Sequence, residues 1–278
     1  MIQMPMPAYA TTPERAWYYA HRVIVAAILL FLIAPILVIM PLSFNSEPYF
    51  SYPMPGLSLR WYEDFFTNDR WTLALQNSII VAVSVTLVST ALGTLAALGL
   101  SRPRFPARGL IMSLLISPIV VPVIISAVGM YFFYTRVGLT NSIPGVVLAH
   151  TALATPFVVI TVTATLSGFD QTLTRAAASL GSNPVHSFFK ITLPLILPGV
   201  ISGGLFAFVT SFDEVVVVLF IASPEQRTLP KQMFSGIREM ISPTITAAAT
   251  LLILFAVAML TTVELLRRRS ERLRGIRS

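Results

Sequence analysis

Six stretches of this 278-residue chain are almost free of charge and long enough to cross a bilayer. They cover roughly 23–42, 73–100, 110–133, 143–166, 195–222 and 244–266, and none contains Lys or Arg. About 20 apolar residues in a helix span a hydrocarbon core of ~30 Å, so each stretch predicts one transmembrane helix. The first reads as an uncleaved span rather than a signal peptide, because its apolar run is too long and no small-residue cleavage site follows it. Pro35, Pro118, Pro122, Pro156 and Pro198 fall inside spans, where neighbouring helices can satisfy the freed carbonyls. Ser89, Gly93 and Ala97 recur every fourth residue, a stripe suited to close helix packing.

The connectors have their own patterns. The first external segment, 43–72, carries Trp61, Tyr62, Phe65, Phe66 and Trp71 among Glu63, Asp64 and Asp69. This predicts an amphipathic helix over 57–66 with aromatic rings at headgroup depth. Between the fifth and sixth spans, Pro224, Pro230 and Pro243 surround a predicted short helix near 231–240. The polar segment 168–194 predicts two short helices. Asp170 is placed to cap the first, and Leu173, Ala176, Ala177 and Leu180 share its apolar face. Gly181 sits where a C-terminal cap belongs; Ser182 or Asn183 caps the second helix, and Pro184 stands in its first turn. Val185, Phe188 and Phe189 form that helix's apolar side, with Pro194 expected to break it. An alanine-rich surface has low relief and suits docking into a groove, although a plain amphipathic connector has the same pattern.

Composition agrees with the spans: 55% of residues are hydrophobic and 11% charged, against about 25% charged in soluble domains. A soluble single-domain fold is excluded. The absence of cysteine excludes disulfides, thiol nucleophiles and Cys-based metal sites. The net charge of +7 takes its meaning from placement. With the N-terminus inside, internal segments hold thirteen basic residues: Arg15, Arg22, Arg102, Arg104, Arg108, Arg175, Lys190, Arg267, Arg268, Arg269, Arg272, Arg274 and Arg277. External ones hold six: Arg60, Arg70, Arg136, Arg227, Lys231 and Arg238. This bias predicts both termini in the cytoplasm, with residues 1–22 a cytoplasmic N-terminal segment and 267–278 a basic tail that meets anionic lipid rather than nucleic acid.

Chemistry-bearing residues inside the spans are few. Asp213 and Glu214 lie in the fifth apolar stretch, where each carboxylate costs on the order of 2–3 kcal/mol and marks a pathway or a paired site. On one continuous helix, adjacent residues point about 100° apart, so only one of the two could face a pore. A hydrated structural role near the outer interface is the competing reading. His150, beside Thr151, is expected to bond a neighbouring helix, with substrate contact the alternative. Tyr131, Phe132, Phe133 and Tyr134 fit an interfacial belt or an aromatic cage. His21, His150 and His186 are too scattered for a metal site, and no nucleophile triad has supporting context.

The segment Arg175-Ala176-Ala177, Gly181, Ile191, Leu193, Pro194 matches the spacing E-A-A-x3-G-x9-I-x-L-P without insertion, with Arg175 in place of Glu. In this it resembles the permeases of ATP-binding-cassette importers. Gln76-Asn77-Ser78 is similar to the opening of that family's core, which would cover about 71–266 within a permease domain 23–266. The stretches Gly56-Leu57-Ser58-Leu59-Arg60-Trp61-Tyr62, Ser211-Phe212-Asp213-Glu214-Val215-Val216-Val217 and Arg227-Thr228-Leu229-Pro230 resemble the spermidine/putrescine-type permease subfamily.

The resemblance implies an all-α, six-span permease of the type I importer fold in a bacterial inner membrane. Segment 168–194 would then be a cytoplasmic coupling loop seated on an ATPase dimer, with Ala176, Ala177 and Gly181 packing-critical. A periplasmic binding protein would deliver substrate, and a second related permease would complete the pore. No G-x4-G-K-[ST] phosphate loop occurs in the chain, so the chain is expected to be non-catalytic and cofactor-free. ATP and its magnesium belong to the ATPase. The favoured substrate is a polyamine, whose ammonium groups need carboxylates and aromatic faces, with Asp213, Glu214, Phe212, Tyr134 and His150 as pathway candidates. Alternatives are the same importer class for 4-aminobutyrate, another amino-acid derivative or iron, and an ion-coupled secondary transporter.

Overall fold

The computed structural model describes residues 11–102, 105–239 and 241–273. Arg104, Arg274 and Arg277 of the predicted internal charges lie outside the described residues, as does most of the first half of segment 1–22. Of Arg267, Arg268, Arg269 and Arg272, only the helical backbone is described. Among the described residues the chain is helical, with one isolated backbone bridge between Asn45 and Leu57. Five helices are long and apolar enough to cross a membrane, and a sharply bent pair makes a sixth crossing if counted as one span.

Packing divides the chain into two units, residues 1–64 with 241–253, and residues 65–240 with 254–278. In the first unit, α1 (Thr12–Leu42) starts well before the predicted apolar run. The reason is local. The Thr11 amide donates to Glu14 Oε2 at 2.7 Å, and Pro13 occupies the first turn. No described residue of α1 is buried. The segment that follows is held by its own side chains. Trp61 Nε1 donates to the Asn45 carbonyl at 2.6 Å, and the Ser43 and Tyr62 hydroxyls bond at 2.6 Å. The aromatic helix predicted over 57–66 is α2 (Arg60–Thr67). The Thr244 hydroxyl donates to Asp64 Oδ2 at 2.7 Å near the start of the last helix.

The second unit is built on α3 (Asp69–Leu100). Next come α4 (Arg108–Val120) and α5 (Val123–Val137), which meet at 103°. The single helix predicted over 110–133 is therefore corrected. Pro122 is the cause. It cannot donate a helical hydrogen bond, and it holds Val121 in the extended region at φ −72° and ψ 129°. Pro118 and Pro156, by contrast, remain inside helices as expected.

α6 (Ile143–Ser167), α7 (Thr172–Ser179), α8 (Pro184–Ser187) and α9 (Leu193–Asp213) follow, with a π-helical turn at Phe188–Thr192 joining α8 to α9. The core is a close triangle of α3, α6 and α9. A lipid-embedded interface gains little from expelling water and depends on close van der Waals approach, which small residues allow. Ser89, Gly93 and Ala97 are all buried in it, the face their spacing predicts. Gly203 shows how tight the contact is: a Cβ there would lie 3.0 Å from the Val158 Cα of α6.

The fifth predicted span, 195–222, is also corrected. α9 stops at Asp213, Glu214 is extended, and a separate short helix α10 (Val216–Ile221) follows. α11 (Leu229–Glu239) matches the short external helix predicted near 231–240. α12 (Pro243–Leu273) continues past the predicted end at 266, so the start of the basic tail is helical.

Candidate functional site

The two ends of α9 carry the candidate residues. At one end, the Asp170 carboxylate accepts from the Thr172 amide at 2.9 Å and opens α7. That bond, then the Thr172 hydroxyl and more weakly the Arg175 charge, hold its carboxyl below the usual carboxylate range. α7 closes on Gly181 at φ +82°, a left-handed backbone that glycine adopts without strain. The Ser182 amide reaches back to the Ala177 carbonyl and the Gly181 amide to that of Ala178, both at 3.0 Å. These two bonds satisfy carbonyls that the helix end leaves free. Asn183, rather than Ser182, caps α8 by accepting from the His186 amide at 2.7 Å.

Of the seven residues matched to the predicted coupling motif, Ala177 alone is buried, while Ile191 and Leu193 are half-buried. Arg175, Ala176, Gly181 and Pro194 are exposed. A Cβ at Gly181 would meet nothing within 4 Å, so this glycine is required by its backbone conformation and not by neighbours within the chain. Leu180, Val185 and Phe189 stand out from the surface, Leu180 at 88% exposure. The expected break at Pro194 does not occur. In the π-helical turn the Leu193 amide bonds the Phe188 carbonyl, five residues back, so the ladder has already widened when the proline arrives without a donor. The result is one helical run, Pro184–Asp213.

At the other end, Glu214 Oε1 accepts from the Val217 amide at 2.9 Å and caps α10. Asp213 is exposed, and Glu214 is half-buried. The argument from a continuous helix therefore does not hold; a backbone break separates the two carboxylates. Phe212 stacks on Phe208 with centroids 5.4 Å apart and lies 5.4 Å from Phe255 of α12, an aromatic cluster that includes the residue before Asp213. His150 is 1% exposed in α6; its Nδ1 and the Ser211 hydroxyl are 3.0 Å apart, the interhelical bond expected of it. Its Nε2 is buried without a hydrogen-bond partner. Tyr134 is buried in the core cluster that includes Val217 and Val218, whereas Tyr131, Phe132 and Phe133 are exposed, as an interfacial belt would be. The structure thus ties His150 to the last turn of α9, which also carries Phe212 and Asp213, but it leaves Tyr134 on a different packing surface. Among the described residues no cluster of potential ligands could hold a metal.

Sequence reasoning missed the fastening of the loop between α10 and α11. Asn77 Nδ2 donates to the carbonyls of Glu225 and Arg227 at 2.8 and 3.0 Å, and the Leu229 amide donates to the Ser78 hydroxyl at 2.7 Å. Lys231 Nζ donates to the Ala222 and Val218 carbonyls at 2.6 and 3.3 Å, closing the C-terminal end of α10. Burial, and then the charge of Arg227, lower the Lys231 ammonium from the usual lysine range. Both partners stood in the sequence as separate motifs, Gln76-Asn77-Ser78 and Arg227-Thr228-Leu229-Pro230. A polar pair just inside an apolar run was the available signal, since buried amides need partners.

Comparison with known proteins agrees with this architecture. The spermidine/putrescine transport system permease protein PotC of Haemophilus influenzae is 31% identical over 254 residues, covering 91% of this chain and 98% of that protein. The putrescine transport system permease protein PotI of Escherichia coli K12 is 33% identical over 230 residues, covering 80% of this chain and 82% of that protein. A crystal structure of a bacterial ABC transporter that imports the acidic polysaccharide alginate superposes with a TM-score of 0.74 at 13% identity, covering 94% of this chain and 99% of the matched one. That likeness is one of fold. Residues 89–274 match the model of binding-protein-dependent transport system inner membrane components, and the chain belongs to that family.

Proposed function

We propose that this chain is one of two related permease subunits of an ATP-driven polyamine importer, with both termini in the cytoplasm. A separate ATPase dimer would bind its coupling segment, and a periplasmic protein would deliver putrescine or spermidine. The observation that carries the reading is the unbroken helical run Pro184–Asp213. Its 30 residues extend about 45 Å, from an exposed apolar tip to a last turn that carries an exposed carboxylate and one of three clustered phenylalanines. An ATPase gripping Leu180, Val185 and Phe189 would move the whole lever. Its far end would then shift Asp213 and Phe212, the groups best suited to an alkylammonium ion. The two polyamine permeases that resemble the chain over most of its length support this substrate class.

The mechanism asks different things of the two carboxylates. Glu214 is engaged with the Val217 amide and holds the break open. Asp213 has its carboxylate exposed and supplies the negative charge that draws a cation toward the aromatic cluster. ATP and magnesium would stay on the partner, because this chain has no phosphate loop. The test is ATP-dependent uptake of putrescine by vesicles carrying the assembled transporter. Wild type takes up putrescine only with ATP and the binding protein present. Asp213→Asn lowers uptake at least tenfold while the ATPase still co-purifies. Unchanged uptake removes Asp213 from the pathway, and uptake of 4-aminobutyrate instead of putrescine removes the substrate class.

A further inference from the structure

A groove runs along the second unit between α3, α9 and α12. Its upper part is a cavity of about 840 Å³ walled by residues such as Leu87, Ile201, Leu205, Phe255 and Met259, with no charged residue on it. Its lower part is a second cavity of about 790 Å³ between the end of α3 and the coupling segment. The two share Leu95 and Phe188, so they adjoin, and the lining changes character from one to the other. The lower part is bordered by Ser101, Gln171, Thr174 and Ser182, and its one charged residue is Arg102; no Asp or Glu lines either part.

We propose that this groove holds an anionic phospholipid. Thr86 and Leu95 mark the ends of the apolar part on α3, a rise of about 14 Å. One leaflet supplies about 15 Å of hydrocarbon, half of the ~30 Å core, so the groove is as deep as one acyl chain. The lower part is lined by Arg102 and Gln171, whose N–H groups match phosphate oxygens. Basic pockets between spans at the membrane boundary recognise lipid headgroups in this way. The gradation selects among occupants. A polyamine finds no carboxylate, a soluble metabolite has no use for the apolar depth, and a packed helix has no need of the cation at one end. A lipid uses all three features. Because the lower part also touches Ala178, Ser182 and Phe188 of the coupling segment, the lipid would wedge the lever at its tip and make coupling depend on membrane charge.

The test uses the intact transporter complex in nanodiscs of phosphatidylcholine with or without phosphatidylglycerol, followed by native mass spectrometry. Wild type retains phosphatidylglycerol in preference to phosphatidylcholine. Arg102→Gln, an exposed position, lowers that retention about fivefold, the weight of one cation at an anionic surface. A benzoylphenylalanine at Leu95 crosslinks to lipid. Equal retention of the two lipids, unchanged retention in Arg102→Gln, or crosslinking of position 95 to the second permease each overturns the proposal. Arg102→Gln does not depend on the Leu95 variant folding.

Discussion

The two ends of the Pro184–Asp213 run are built by opposite means. At the coupling end, hydrogen bonds are local. Asp170 reaches Thr172, Ser182 reaches Ala177, and Asn183 reaches His186, all within five residues of sequence. At the Asp213 end the local Glu214–Val217 bond is joined by one between His150 and Ser211 across 61 residues, and the loop after α10 is tied to α3 by Asn77–Glu225 and Ser78–Leu229 across 148 and 151 residues. A tip closed by its own bonds moves as a body with whatever grips it. The far end, bonded to α6 through Ser211 and packed on α3, responds only if the core responds. The segment before α9 is thus closed on itself while α9 is packed into the core, an arrangement that suits the coupling role proposed above.

The sharpest way to break the comparison is Asn77→Ala. It leaves the carbonyls of Glu225 and Arg227 without their donor at a position 6% exposed. Each hydrogen bond contributes about 0.5–1.5 kcal/mol net, so the loss of the two is about 1–3 kcal/mol, read as a lowered unfolding midpoint of the purified complex. ATPase co-purification stays intact, because the tip is untouched. Gly181→Val does the reverse. A β-branched residue at φ +82° is strained by about 2 kcal/mol, enough to undo the closing turn of α7. ATPase co-purification is lost, while the unfolding midpoint of the permease barely moves. Gly181→Asn restores binding, since asparagine tolerates the left-handed region and open space surrounds the position. If asparagine fails as badly as valine, the glycine is needed for contact with the ATPase rather than for its backbone.

Glu214 gives a smaller contrast on the anchored end. Glu214→Ala removes the cap on α10 and costs about 1 kcal/mol, seen as faster hydrogen exchange at the Val216 and Val217 amides. Glu214→Gln keeps an acceptor oxygen and stays near wild type. Loss of uptake in both variants would mean that the Glu214 charge itself serves transport.

How much of this was legible follows from the same division. The coupling segment was readable almost residue by residue, because capping and the left-handed glycine are decided by near neighbours. Gly181 and Pro184 fall where the pattern put them, and Asp170 bonds the Thr172 amide from one residue before the cap position, Gln171. The exception there is Pro194. Its usual meaning as a breaker is overridden by the wider π-helical ladder before it, which no propensity signals. Hydropathy found the spans, yet hid two breaks. Val121-Pro122 and Asp213-Glu214 lie in stretches apolar enough to read as continuous, and the first was marked by its proline while the second had only an acidic pair. The clamp on α3 needed knowledge of which loop returns to Asn77, and sequence separation of nearly 150 residues conceals that.

The gentlest probe of the free end is pH. The Thr172 bonds lower the Asp170 carboxyl from its ordinary value. A carboxylate with a folded-state pKa below its unfolded one stabilises the fold fully above the unfolded value, near 4. Protonation removes that stabilisation as pH falls through the lowered folded value. Between pH 7 and 5, protection of the α7 amides should therefore be flat. Below about pH 4 it should decline in wild type and decline less in Asp170→Asn, whose side chain still accepts from Thr172 but carries no proton to gain. Asp170 is fully exposed, so the difference is small and confined to α7, and the α10 amides should not share it. An equal acid response at α7 and α10 would mean that the coupling tip does not fold as a local unit, and that the lever is anchored at both ends.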